Sequence, residues 1–442
     1  MRDENTLYWI WLAERCGVAS RDFGRLVEKY DNPFDLYRLE EEEIEHLEGL
    51  GAGLKARLCD KSLDSAYSIM RYCKANKVDI ISYGDKRYPE RLKRIETPPV
   101  VLYCLGHFPS FDERLCVGMV GTRKMSEYGK QSAYRISYEL ASAKAVIVSG
   151  MALGVDGVCA CGALAAGGET VAVLGCGISV VYPKEHEKLM GEIASHGAVI
   201  TEYPPMERPN AQNFPKRNRL ISGLCQGVVI IEGAVGSGAL ITASRAIAQG
   251  RDVFALPGKI NESNSEGPNE LIKNGANIAL SSEDILNFYD FLYHDAIYYR
   301  GHSRSKKKHI DVEESLERFG VSDVYYRGRF APKPLKDSTE ERKTAASSGR
   351  SEKRSGAERA VSLSSETDCE KTESNADHSA ELLASLDENT KKIFENMPID
   401  KAVSADALSD TGMSVPIIMS AFTMLEVYGL VESLPGGLYI RK

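Results

Sequence analysis

The sequence predicts an α/β domain with a doubly wound, mostly parallel sheet, preceded by a small helical domain and followed by a winged helix. Three observations carry this. Between about 78 and 290, short β-rich runs alternate with helical stretches, and the runs are almost continuously apolar, as expected of strands buried on both faces of a helix-covered sheet. Residues 5 to about 75 repeat apolar side chains at helical spacing. Residues 381–442 read as three helices and a hairpin. For a chain of 442 residues, a prior of roughly 150 residues per domain also gives about three domains.

The helical domain occupies 1–77. Its apolar positions are Leu7, Ile10 and Trp11, then Phe23, Leu26, Val27 and Tyr30. Gly49-Leu50-Gly51-Ala52-Gly53 interrupts the pattern and Leu54-Lys55-Ala56 restarts it. A glycine-bounded turn between short helices is SAM-like or helix-hairpin-helix-like. In the latter, backbone N–H groups at a helix start hold a DNA phosphate. A tight connection that needs only glycine's backbone freedom accounts for the same residues.

The α/β domain spans 78–299. Its runs are Val100-Val101-Leu102-Tyr103, Val117-Gly118-Met119-Val120, Val146-Ile147-Val148, Val171-Ala172-Val173-Leu174, Val199-Ile200, Val228-Val229-Ile230-Ile231 and Val253-Phe254-Ala255. Such a Rossmann-like sheet binds its ligand outside the carboxyl ends of the strands. Residues 300–380 lose the apolar rhythm, opening with Arg304-Ser305-Lys306-Lys307-Lys308 and ending rich in Ser, Glu, Lys and Thr. They are expected to form a disordered linker, with Val324-Tyr325-Tyr326 as a short sticky site. In 381–442, a helix is expected near Leu386–Met397, Ser404 as the N-cap of a second, and a third from Ser414-Val415-Pro416 with proline in its first turn. Leu430-Val431-Glu432-Ser433 and Leu438-Tyr439-Ile440, around Gly436-Gly437, form the hairpin.

Composition narrows the function classes. The formal net charge is −8, which excludes a globally basic nucleic-acid coat and leaves only a local cationic cluster. There are ten cysteines, and the closest pair is Cys159 and Cys161. Cys104, Cys116 and Cys176 sit inside apolar runs, where free cysteine serves as a small hydrophobe. No disulfide frame, zinc site or other cofactor is expected. The N-terminal Met1-Arg2-Asp3-Glu4 shows no signal-peptide core, and no apolar run approaches the ~20 residues of a membrane span. The expected location is the cytoplasm.

Several strands end in glycine-rich turns: Gly121-Thr122-Arg123, Ser149-Gly150-Met151-Ala152-Leu153-Gly154-Val155-Asp156, Gly175-Cys176-Gly177 and Gly236-Ser237-Gly238. Each is expected to present N–H groups and a helix dipole at one rim of the sheet, which suits phosphate. Any single turn is equally explained by tight strand-to-helix geometry. The densest signal is Asn213-Phe214-Pro215-Lys216-Arg217-Asn218-Arg219. Its three cations can offset phosphate charge, and its aromatic face can stack on an unpaired base. A solvated helix start with Phe214 buried as a staple is the blander account.

In order along the chain, these motifs resemble the DprA/Smf family of DNA-processing proteins. Gly121-Thr122-Arg123 with Tyr128-Gly129 is similar to the family's G-[ST]-R…YG, and 149–156 to its SG-[LM]-A-x-GID. Val181-Tyr182-Pro183-Lys184, Glu202-Tyr203-Pro204-Pro205, the run 213–224, Gly236–Ala243, Ala255-Leu256-Pro257-Gly258 and Gly267–Ile272 continue the match over about 200 residues. The resemblance implies a non-catalytic dimer of natural transformation and recombination that binds single-stranded DNA, protects incoming strands and helps load the RecA recombinase. It implies phosphate contacts at Arg123, Lys184, Lys216, Arg217 and Arg219, with Asn218 in the same run. Phe214 would stack on a base, and Gly121, Gly175 and Gly177 would let the backbone approach the strand. It implies a dimer contact near Leu271, Ile272 and Ile278. Two positions depart from the family pattern: Leu153 stands where many members have Arg, and Val158-Cys159-Ala160 replaces a His-containing triplet.

Two other readings compete with this one. A nucleotide-binding enzyme, such as a nucleoside monophosphate hydrolase on a related sheet, needs either G-x-G-x-x-G followed by an acid or a PGGxGTxxE motif, and neither pattern occurs. Asp156 and Glu232 are the rim carboxylates to watch, with Asp156 expected to cap its helix. A duplex-reading winged helix needs cations on its recognition helix. Residues 414–428 contain no Lys or Arg, so this winged helix is expected to bind protein or pack on its own chain.

Overall fold

The computed structural model describes residues 2–293, 311–321 and, in the C-terminal region, 388–398, 401–404, 407–408, 413, 415–427, 430–434 and 438–441. The chain divides into two units, up to residue 329 and from residue 330.

All seven apolar runs are strands of one sheet. They are β2 (Val101–Gly106), β3 (Cys116–Val120), β4 (Val146–Ser149), β5 (Thr170–Val173), β6 (Ala198–Thr201), β7 (Gly227–Ile230) and β8 (Asp252–Ala255). Two further strands, β1 (Val78–Ser82) and β9 (Asn277–Ile278), form its edges in the order β1-β2-β6-β5-β4-β3-β7-β8-β9. From β6 to β9 every pairing is parallel, while β1 and β2 run antiparallel at one side.

Alternate strand residues feed opposite layers. Val117 and Met119 join a core with α8 (Glu127–Ser142), α9 (Val155–Ala165), α10 (Glu187–His196) and α14 (Ser282–Tyr293). Cys116 and Val120 join a second core with α11 (Asn213–Leu224) and α12 (Gly238–Ala248). Covered faces on both sides explain why the strands read as unbroken apolar runs. The chain proceeds from β3 outward to β6, then returns to β7 on the other side of β3. The switch point therefore lies between the carboxyl ends of β3 and β7.

The N-terminal residues form α1 (Arg2–Cys16), α2 (Arg21–Lys29), α3 (Pro33–Tyr37), α4 (Glu41–Glu45), α5 (Ala52–Cys59) and α6 (Asp64–Ala75). Ile10, Trp11, Phe23 and Leu26 are buried. Trp9 and Phe23 pack on Tyr83 beyond β1, at 6.2 and 5.2 Å between ring centroids. In the glycine turn, Gly49 has φ of +75°, a conformation that favours glycine. Arg25 Nη1 donates to the Gly49 carbonyl at 2.5 Å, and Lys55 Nζ to the Glu45 carbonyl at 2.7 Å. The turn is thus braced by the chain's own cations.

One helix lies where the composition suggests only linker. It is α15 (Val312–Arg318), N-capped by Asp311, whose side chain accepts from Glu314 N at 3.1 Å. Val312, Leu316 and Phe319 repeat at helical spacing and are buried against the α8/α9 layer. Tyr134 Oη donates to Ser315 Oγ at 2.7 Å. Averaging over a long polar stretch hides so short an amphipathic segment. Val324-Tyr325-Tyr326 lies outside the described residues.

The C-terminal unit contains α16 (Glu388–Asn396), β10 (Val403–Ser404), α17 (Val415–Val427), β11 (Val431–Leu434) and β12 (Leu438–Arg441), with strand order β10-β12-β11. The hairpin and the helix beginning near Pro416 follow the sequence reading. Ser404 instead pairs with Leu438 in β10, and the helix expected after it falls largely outside the described residues. Ile393, Phe394, Ile418, Phe422, Leu425 and Tyr439 make the core, with the Phe422 and Tyr439 rings stacked at 4.2 Å.

Candidate nucleic-acid interface

The run 213–219 forms the first two turns of α11, at the carboxyl ends of β4 and β5. The helix and its neighbours divide the three cations into two kinds. Lys216 is exposed. Arg217 is buried, and its Nη1 donates to the Gly150 carbonyl at 3.0 Å and to that of Val173, while Nε reaches Asn218 Oδ1 at 3.2 Å. Arg219 is also buried, and its Nη2 meets Glu202 Oε2 at 2.5 Å. Both arginine charges are committed inside the protein. This departs from the uniform phosphate role that the resemblance implies, and the reason is the non-local carbonyls and carboxylate that close over them.

Phe214 lies half-buried over Gly175, where an added Cβ would come within 2.8 Å of its ring. Tyr182 stands beside it with ring centroids 5.3 Å apart and keeps 37% of its surface exposed. The Arg123 and Arg217 guanidinium carbons lie 5.7 and 5.8 Å from the Phe214 centroid, within cation–π range. Arg123 and Lys184 are exposed. Asn218 Nδ2 donates to the Gly238 carbonyl at 3.3 Å, tying α11 to the start of α12. The result is an aromatic platform with Arg123 against it, and with Lys184 and Lys216 exposed two residues from Tyr182 and Phe214. Sequence reasoning misses Tyr182, although its place directly before Pro183-Lys184 is a usable signal.

The three glycines each have a reason within the chain. The Cβ direction of Gly121 is filled by Val155 at 2.6 Å, that of Gly175 by Phe214, and that of Gly177 by the carbonyls of Pro204 and Pro205. Their missing side chains serve packing within the chain. Several N–H groups of the rim are likewise taken. Asp156 Oδ2 accepts from Gly150 N at 3.1 Å and Ala152 N at 3.3 Å. Glu232, also buried, accepts from Ser126 N at 2.8 Å and from Ser126 Oγ, and its backbone carbonyl accepts from Thr122 N at 2.7 Å. Asp156 does not cap α9, whose N-cap is Gly154 at φ of +85°. It reaches back to hold the preceding loop. Burial pushes its carboxyl up, and Arg217 and the two backbone donors work against that rise.

His186 joins two rim loops, with its Nδ1 3.1 Å from the Met151 carbonyl. Burial lowers its pKa from 6.5, which favours a neutral ring donating from Nδ1. Cys159 is buried in α9 with its Sγ toward the Ala133 carbonyl of α8. Leu153 sits half-buried in the loop before that helix. Ile278 is 49% exposed on the edge strand β9, while Leu271 and Ile272 are half-buried. Phe288, which packs on Phe254 of β8 at 5.3 Å, is 48% exposed at the same edge. Among the described residues, no cluster could hold a metal ion, and no helix is long and apolar enough to cross a membrane.

Residues 79–290 match the family model of DNA recombination-mediator protein A, and residues 377–437 that of the DprA winged helix domain. The chain is 40% identical over 208 residues to the DNA processing protein DprA of Bacillus subtilis, covering 47% of this chain and 70% of that one. It is 32% identical over 290 residues to protein Smf of Synechocystis, covering 65% and 73%. The X-ray structure of DprA from Streptococcus pneumoniae aligns with a TM-score of 0.55 at 33% identity, over 64% of this chain and 97% of that one.

Proposed function

Because the chain belongs to the DprA/Smf family of DNA-processing proteins, we propose that its α/β unit binds single-stranded DNA along the rim of the sheet, without catalysis. The observation that carries this is the Phe214–Tyr182 platform with Arg123 beside it and Lys184 and Lys216 exposed two residues along the chain from those rings. A stacking surface suits unpaired bases and not the paired bases inside a duplex, and the cations supply sequence-independent affinity for phosphate. In this reading Arg123, Lys184 and Lys216 contact phosphate, while Arg217 and Arg219 hold the helix that carries Phe214 and Lys216.

Fluorescence anisotropy with a labelled poly-dT strand and a matched duplex tests the proposal. Wild type should prefer the single strand. Phe214→Ala should weaken that binding by ~1–3 kcal/mol, about 5- to 150-fold, with little change in its salt dependence. Equal affinity of wild type for strand and duplex would defeat the reading. Strong duplex binding would also reassign the winged helix, whose α17 lacks Lys and Arg and which we take to engage protein.

The enzymatic alternative meets an obstacle at the switch point. A nucleotide's phosphates would need the donors at the start of α8 and in the 149–156 loop. Glu232 and Asp156 already fill that role from within.

The remaining parts of the reading are a homodimer and a role in recombination. The exposed apolar edge at Ile278 and Phe288 supports self-association around Leu271, Ile272 and Ile278, and analytical ultracentrifugation showing only monomer would exclude it. Loading of RecA is proposed on the family resemblance alone. It would appear as faster recombinase assembly on strands already coated by single-strand-binding protein.

A further inference from the structure

The rim carries a second aromatic surface on the far side of the switch point. Tyr128, in the first turn of α8, is 50% exposed, and its ring is fixed by a hydrogen bond from Oη to the Pro257 carbonyl at 2.8 Å. The loop that holds it continues into Lys259, which is exposed, and Ile260, which is 87% exposed. Glu127, the carboxylate next to Tyr128, shares the Lys130 ammonium with Glu313, lying 2.8 Å from it. Like the Phe214 platform, this patch offers a partly exposed ring with a cation close by in sequence, here in a loop that also exposes Ile260.

One short segment spans the two surfaces. Arg123 lies 5.7 Å from the Phe214 centroid, and the next residue, Lys124, offers its carbonyl to Asn264 Nδ2 at 2.8 Å. Phe214 covers the turn after β5, whereas Pro257 follows β8. The order β5-β4-β3-β7-β8 puts four strand spacings between them, or ~19 Å. We propose that Tyr128 is a second base-stacking platform, so that a single strand held at Phe214 crosses Arg123 and Lys124 and stacks again at Tyr128. A ring already held in place loses little freedom on binding, which is what its bond to Pro257 provides.

The proposal rests on the single-strand reading above, and strand length separates the two. Anisotropy is measured with the full chain and labelled poly-dT of about 4 and about 16 nucleotides, the range of sites seen for single-strand binders. Tyr128→Ala should weaken the long strand about tenfold and the short one much less, because a strand of about 4 nucleotides reaches both surfaces only when fully extended. Tyr128→Phe, which keeps the ring, should restore most of the loss. Phe214→Ala should weaken both lengths. If Tyr128→Ala binds both strands as wild type does, or weakens both equally, the second platform is refuted while the first stands. If Tyr128→Ala alters sedimentation, the patch is a contact between copies of the chain and the proposal falls. If Tyr128→Ala fails to fold, Lys259→Glu is read by the same length criterion. If wild type binds neither strand, the reading beneath both proposals is lost.

Discussion

Arg123→Glu/Lys216→Glu is expected to abolish single-strand binding at physiological salt while leaving the melting temperature unchanged. Both side chains are exposed at the rim, and Arg123 lies 5.7 Å from the ring proposed to stack. A hydrogen bond to a charged group contributes ~1.5–3 kcal/mol, so losing two phosphate contacts alone lowers affinity by about a hundredfold or more. The reversed charges add repulsion. The salt dependence is the sharper measurement. Each phosphate contact on a single strand contributes ~0.7 to the slope of log K against log salt, so the double variant's residual binding should show a slope smaller by ~1.4. Surface substitutions of this kind change stability by only about 0.5 kcal/mol, so a thermal melt checks that the fold survives. An unchanged affinity and slope would remove the rim from consideration.

How much of this was legible in the sequence depended on range. The seven central strands were readable because each is a local apolar run, and coverage of both faces makes such runs continuous. β1 escaped because its burial is broken at Asp79 on an edge strand, and β9 because it has two residues. α15 escaped because its apolar side chains are diluted in a long polar stretch. At the site, the run 213–219 was plainly rich in cations and aromatic character. Its division into exposed Lys216 and buried Arg217 and Arg219 was not readable. That division is decided by the carbonyls of Gly150 and Val173 and by the carboxylate of Glu202, which only the folded topology brings to α11. The same applies to the glycine turns. Their glycines were visible, but the side chains of Val155 and Phe214 that need the space come from elsewhere in the chain.

The buried half of that division predicts the opposite behaviour from Lys216. Glu202→Ala should destabilise the α/β unit by ~3–5 kcal/mol, the usual result of removing one partner from a buried ion pair. The melting temperature should fall on the order of 10 °C. Arg219 already has Nε and Nη1 buried without an acceptor, so its charge depends heavily on the single bond to Glu202. The other Glu202 oxygen accepts from Ala19 N at 3.2 Å. Ala19 has φ of +58°, a conformation uncommon for a residue other than glycine, so the carboxylate also steadies the turn between α1 and α2. Truncation should therefore speed amide exchange at Ala19 as well as lower the melt. Glu202→Leu/Arg219→Met removes both charges and should lose much less than the two single changes added together. Below its melting temperature, the Glu202→Ala protein should retain the wild-type salt slope, because no phosphate contact has been removed. A wild-type melt for Glu202→Ala would show that the pair is not a structural strut. A salt slope reduced by Arg219→Met would return Arg219 to the DNA-binding surface.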